Sequence, residues 1–183
     1  MSWQTLATRT VYENRWMQVE EHDVIGPAGP GIYGVVTVRH PAVFVVALDD
    51  DDRVCFVTID RYATGGPSLE VPAGGTDGEN PLAGAQRELR EETGLTAEEW
   101  TELGQMNALN GIANAPEHVF LARTLHATPN TADLAATQHE EGITDVRWVP
   151  FGDALRMISD GEISDGETIA ALAFAAIHLG RLG

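Results

Sequence analysis

Cysteine is almost absent from this chain of 183 residues, where Cys55 stands alone. No intrachain disulfide can form, and no multi-thiolate zinc site can be assembled within one chain. Basic residues are scarce too. Eleven Lys and Arg face 28 Asp and Glu, a formal net charge of -17. Such a balance works against nonspecific binding to DNA, RNA or anionic lipid, whose phosphates are held by clustered cations. Long apolar runs are missing as well: runs such as Val43 to Leu48 fall far short of the ~20 residues of a membrane span. The opening MSWQTLATRT lacks the apolar stretch of a secretory signal. The expectation is a cytoplasmic, reducing setting and a small or cation-assisted partner, with no nucleic acid and no membrane.

What is present is ordinary globular material, 43% hydrophobic and 21% charged, enough to fold around a core. From Val11 to about Val71 the β-branched runs Ile32–Val38, Val43–Leu48 and Val54–Ile59 read as strands separated by turn formers. The four acids Asp49 to Asp52, followed by Arg53, read as a solvated hairpin tip. A helix is marked by Asn80 as N-cap, Pro81 at the first position and Gly94 just past the end. Strands return at His118–Ala122 and Asp145–Val149, then helices near Phe151–Ser159 and from Ser164 onward, where Ser164-x-x-Glu167 fits a capping box. Strands first, a helix in the middle and no regular β-α-β alternation define a mixed α/β (α+β) chain.

Chemistry concentrates in the central helix. Glu88, Glu91 and Glu92 stand at i, i+3 and i+4, so their carboxylates leave one side of the helix and repel one another. An acidic stripe facing solvent is the plain explanation. Two features favour a hard divalent cation instead: the glycine-rich Pro72–Gly78 loop just before the helix, and Arg87 and Arg90 as internal counter-charges. The histidines, among them His139 and His178, show no zinc spacing, and no EF-hand loop is present.

Glu79, seven residues, then Arg87-Glu88-Leu89-x-Glu91-Glu92-x-Gly94-Leu95 resembles the Nudix box, G-x5-E-x7-R-E-U-x-E-E-x-G-U. The departure is at the front: the position of the box glycine holds Ala73, with Gly74 one residue later. Arg61-Tyr62-Ala63-Thr64-Gly65 and Glu70-Val71-Pro72-Ala73-Gly74 are similar to segments of the ADP-ribose pyrophosphatase branch. So are the N-terminal strands and the tail Gly161–Leu172. The resemblance implies a Nudix fold, an α/β/α sandwich over residues 39–183, preceded over 1–38 by a small antiparallel sheet that helps build a homodimer.

It also implies hydrolysis of a diphosphate with Mg2+, or Mn2+ as substitute. Glu88 and Glu92 would be direct ligands, Glu91 a further or water-mediated one with a part in catalysis, and the Ala73 carbonyl another. Arg87 would hold the glutamates in place. The base would come from a late loop, where Glu141 is the choice and Glu140 the fallback. Arg61 matches a phosphate-contacting arginine, or is a strand-end salt bridge. Glu70 orients ligands or water, or hydrogen-bonds the loop backbone.

ADP-ribose is the leading substrate, cleaved to AMP and ribose 5-phosphate. In Asn107–Glu117 the acid that relatives carry after a turn is missing, with Glu117 displaced, so other nucleoside diphosphate sugars such as GDP-mannose stay open. Tyr12, Trp16, Tyr33 and Tyr62 are candidates for stacking on the base, none of them assigned. Two other classes compete: a catalytically silent Nudix module that senses a nucleotide sugar, and an acidic calcium-buffering domain.

Overall fold

The computed structural model describes residues 3–128 and 131–181. It opens with an antiparallel meander of three ten-residue strands, β1 (Gln4–Glu13), β2 (Met17–Gly26) and β3 (Gly29–Val38). The tight β2–β3 hairpin needs Gly29, whose φ is 108°. The strands begin seven residues before Val11: Thr5, Thr8 and Thr10 supply the β-branched content that an apolar count overlooks.

Next come β4 (Ala42–Ala47), β5 (Arg53–Arg61), β6 (Gly66–Glu70) and β7 (Ala73–Gly75). Helix α1 (Pro81–Thr93) follows, then β8 (Leu95–Asn107), β9 (Ala113–Asn114) and β10 (Pro116–Ala127). The chain finishes with α2 (Thr131–Glu141), β11 (Ile143–Pro150), α3 (Phe151–Asp160) and α4 (Gly166–His178). Asp49–Asp52 forms the expected tip between β4 and β5, with the Asp49 carboxylate accepting from the Arg53 main chain and guanidinium, both at 2.8 Å.

The strands form three sheets, ordered β1-β2-β3-β9, β7-β4-β10-β8 and β11-β5-β6. Strand β4 runs parallel to β10 and is buried on both faces, which explains its unbroken apolar run. Its alternate residues feed two half-cores. Val43, Val45 and Ala47 pack with Ala85 and Leu89 of α1, and with Phe120. Phe44, Val46 and Leu48 pack with Phe151 and Ala154 of α3 and with Leu172 and Ala176 of α4. Helices on both faces of the sheets make an α/β/α sandwich, beside which the N-terminal sheet stands with all ten residues of β1 exposed. No helix among the described residues is long and apolar enough to cross a membrane.

Two elements depart from the expectation. Thr131–Glu141 is helical, so Glu140 and Glu141 sit on the last turn of α2 and not in a loop. Helix α4 is capped by Asp165, whose Oδ2 accepts from the Thr168 N–H at 2.7 Å; the expected cap, Ser164, lies one residue outside. Asp serves as well at an N-cap and adds charge at the positive helix end.

Candidate active site

Helix α1 begins as its sequence dictates. Asn80 accepts from the Leu82 N–H at 3.0 Å, Pro81 opens the first turn, and Gly94 closes the helix at φ 70° with its N–H on the Arg90 carbonyl. Burying Ala85 and Leu89 against β4 and β10 fixes the rotation of the helix. That rotation presses Glu88 and Glu92, one turn apart, towards the Pro72–Gly78 loop, where they are only 8% and 4% exposed.

Each buried carboxylate has a seat. Glu92 Oε2 accepts from the Ala73 N–H at 3.0 Å. Glu88 lies flat against Gly74: a Cβ on that glycine would fall 2.1 Å from Glu88 Oε1 and 2.6 Å from Oε2. The position that cannot carry a side chain is therefore Gly74. Ala73 pairs with Phe44 in the β4–β7 ladder, and its methyl packs on the core, so alanine in place of the box glycine costs nothing here.

Arg87 gathers the group. Its Nε donates to Glu79 at 3.0 Å, Nη1 to Glu88 at 2.9 Å and Glu91 at 3.2 Å, and Nη2 to the Gly75 carbonyl at 2.6 Å. One guanidinium thus ties three glutamates to the loop. It does not neutralise them. Burial pushes the Glu88 carboxyl up to about 7 even though Arg87 pulls the other way. Burial, then the Glu88 charge, raises Glu92 well above the carboxylate range.

Carboxylate oxygens alone, buried and short of positive charge, are the donor set that a hard divalent cation takes, and Gly74 leaves space for one such carboxylate. The residues fit a cation in type. As they stand, Arg87 and Ala73 hold them apart, and among the described residues no three His, Cys, Asp or Glu side chains close on a common point.

Helix α2 brings a further acid. Leu134, Gln138 and Glu141 recur at i, i+4 and i+7, one face of a helix, and that face meets α1. A Cβ on Gly94 would lie 2.7 Å from Leu134 Cδ2, and Gln138 Nε2 donates to the Glu92 main-chain carbonyl at 2.7 Å. The charge of Glu141 contributes to raising both Glu88 and Glu92. Glu140 is turned about 100° around the helix from it. Gln138 carries no signal in the sequence.

Arg61 and Glu70 face each other across the β5–β6 hairpin, with Nε and Nη2 donating to the two carboxylate oxygens at 3.0 and 2.6 Å. They share a cavity of about 500 Å³ with Thr64, Ser68, Ser164 and Asp165. The Arg61 charge is felt at Glu92, which ties this cavity to the glutamate edge. Glu117 is not part of that edge. It is buried, with Oε2 lacking a hydrogen-bond partner among the described residues, and burial followed by the Glu167 and Asp165 charges lifts it to about 7. Among the aromatic candidates Tyr62 is fully exposed, and Tyr12 and Trp16 are more than half exposed. Tyr33 packs edge-on to Trp3 at 5.3 Å beside a hollow of about 220 Å³ that also takes in His22. Trp3 carried no mark in the sequence.

Residues 38–172 match the NUDIX domain, and residues 3–36 match the nucleoside diphosphate sugar hydrolase N-terminal domain. The chain is 31% identical to an ADP-ribose pyrophosphatase of Mycobacterium tuberculosis (strain ATCC 25618 / H37Rv), over 96% of this chain and 83% of that protein. It is 31% identical to an ADP-ribose pyrophosphatase of Bacillus subtilis (strain 168), over 93% of this chain and 90% of that one. A crystal structure of an ADP compounds hydrolase shares the fold with a TM-score of 0.83 at 21% identity, covering 100% of this chain and 98% of the other.

Two outcomes follow from the carboxylate seats. Gly74→Ala should displace only the mobile end of Glu88, so the metal-free melting temperature should stay within about 3 °C of wild type. Mn2+ affinity by calorimetry should fall ~10–100-fold. The raised Glu88 carboxyl has a second effect. In metal-free protein its contribution to stability is full below the unfolded value near 4.5 and is lost as pH rises through about 7. Glu88→Gln should flatten that decline, by roughly 2 kcal/mol in urea titrations compared at pH 5 and pH 8.

Proposed function

The chain belongs to the Nudix family, and from that membership we propose that it hydrolyses the diphosphate bond of ADP-ribose or a related nucleoside diphosphate sugar. The products are a nucleoside monophosphate and a sugar phosphate. The observation that carries this reading is the edge of α1, where Glu88, Glu91 and Glu92 are gathered by Arg87 against Gly74. Similarity over 96% and 93% of this chain to two ADP-ribose pyrophosphatases supports the substrate class.

Glu88 and Glu92, with Glu91 and the Ala73 carbonyl, would hold Mg2+, for which Mn2+ can substitute. That cation would offset the charge of the diphosphate and make water a better nucleophile. The remaining tasks belong to side chains. Arg87 positions the glutamates. Glu141, on the face of α2 turned to α1, takes the proton of the attacking water, and Glu140 faces elsewhere. Arg61, held at its Nε and Nη2 by Glu70, keeps N–H groups for a phosphate oxygen. Glu70 acts by holding that arginine. The cavity beside them, about 500 Å³, sets the hydroxyls of Thr64, Ser68 and Ser164 and the carboxylates of Glu70 and Asp165 among Ala63, Pro67 and glycines, a lining that suits the polyhydroxyl half of such a substrate.

The N-terminal strands 1–38 serve in this reading as the sheet of a homodimer, placed beside the catalytic unit 39–183. Trp3, Leu6, Val11, Tyr12, Trp16 and Ile32 are each more than half exposed on it, a concentration of large apolar side chains that soluble surfaces rarely leave uncovered. Sedimentation equilibrium should report two chains per particle, and Leu6→Glu with Ile32→Glu should shift it to one.

The function is tested by incubating protein and Mg2+ with ADP-ribose, ADP-glucose and GDP-mannose and identifying the phosphorylated products. We expect AMP and ribose 5-phosphate from ADP-ribose. Glu92→Gln should lower kcat by at least ~10²-fold and Glu141→Gln by ~10²–10⁴-fold, with Glu140→Gln affected far less. Binding of ADP-ribose by wild type without turnover would make the protein a silent sensor instead.

A further inference from the structure

We propose that Gln138 is a positioning residue: its hydrogen bond to the main-chain carbonyl of Glu92 sets where Glu141 stands relative to the glutamates of α1. The inference rests on reading Glu141 as the base.

The last carbonyls of a helix have no partner within it. In α1 one of them is met locally, Arg90 by the Gly94 N–H. The Glu92 carbonyl is met by a side chain 46 residues away, at 2.7 Å. The acceptor belongs to the residue whose carboxylate lies deepest in the site. The donor sits three residues before Glu141, one turn along the same face of α2. A single bond therefore joins the backbone of a proposed metal-binding residue to the element that carries the proposed base.

That end of α2 is seated shallowly. Among the described side chains of this helix, only Leu134, Thr137 and Gln138 are even half-buried, and Ala135, Ala136, His139, Glu140 and Glu141 are exposed. Leu134 seats the earlier turn on Gly94. Past Glu141 the helix stops at once, because Gly142 turns back at φ 74° and its carbonyl accepts from the Asp60 N–H at 3.2 Å. Glu141 is thus the last side chain of a helix fixed one turn upstream by Gln138 and one residue downstream by β5. Loss of the upstream bond weakens the hold on that turn. Displacements of about an ångström at a reacting group are enough to slow chemistry severely.

Gln138→Met keeps length and helix propensity and removes the donor. Steady-state hydrolysis of ADP-ribose should show kcat lowered ~10–100-fold, the scale of lost supporting hydrogen bonds. KM and Mn2+ affinity should change by less than about twofold, since the glutamates keep their own contacts with Arg87, Gly74 and Ala73. The deciding measurement repeats the substitution in a Glu141→Gln background, where it should cost less than about twofold because there is no base left to position. Near-wild-type kcat in Gln138→Met, or an equal loss in both backgrounds, overturns the inference while leaving the assignment of Glu141 intact. Wild-type turnover by Glu141→Gln alone removes the assignment and the inference together. If Gln138→Met lacks a cooperative melting transition, Gln138→Ala, the stronger helix former, answers the same question.

Discussion

Everything at this site depends on holding several carboxylates out of water on one side of a single helix. Ionised side chains are buried only when partnered, and here the partner inside the chain is insufficient by construction. Arg87 is shared among Glu79, Glu88 and Glu91, and Glu92 receives one main-chain N–H. Burial raises the carboxyls of both Glu88 and Glu92 in spite of these partners. Replacing such residues by well-packed apolar ones is often neutral or stabilising, and on the proposed reading a cation completes their charge balance. The hydrophobic contacts of Ala85 and Leu89 supply the opposing force that keeps the helix rotation, and hence the glutamates, where they are.

The loop and the second helix are arranged around that constraint. Gly74 presents bare backbone where Glu88 needs room, and the β4–β7 ladder fixes the loop in register. Helix α2 adds Glu141 from a separate part of the chain, close enough for its charge to act on the two buried carboxyls yet exposed itself. Two buried acids and an exposed one are thus different electrostatic environments produced on neighbouring helices.

The legible part of the sequence was the part with local determinants. Asn80, Pro81 and Gly94 mark helix ends through backbone chemistry within a few residues, and the glutamate spacing follows from the helical repeat, so α1 and its acids could be placed without coordinates. The β4 and β5 strands announced themselves through continuous Val, Ile and Phe because they are covered on both faces. Other features are held by distant contacts and were hidden. Helix α2 contains one large apolar residue, Leu134, in eleven and exists by docking on α1. Strand β8 places Ala97, Trp100, Leu103 and Met106 at intervals of three, which imitates no strand alternation. The Arg61–Glu70 pair and the Gln138–Glu92 bond join residues whose proximity only the folded chain creates. Glycine at position 74 rather than 73 follows from where one carboxylate lies, which spacing cannot tell.

The cavity that Arg61 and Glu70 share is walled by the β5–β6 hairpin and the start of α4, while the glutamate edge is made by α1, β7 and the end of α2. The two halves meet but draw on different stretches of polypeptide. Ser68 and Ser164 make none of the hydrogen bonds that seat Glu88 and Glu92. On the proposed reading, the part of this plan that chooses the sugar is separable from the part that breaks the bond, with the Arg61 charge as the link between them.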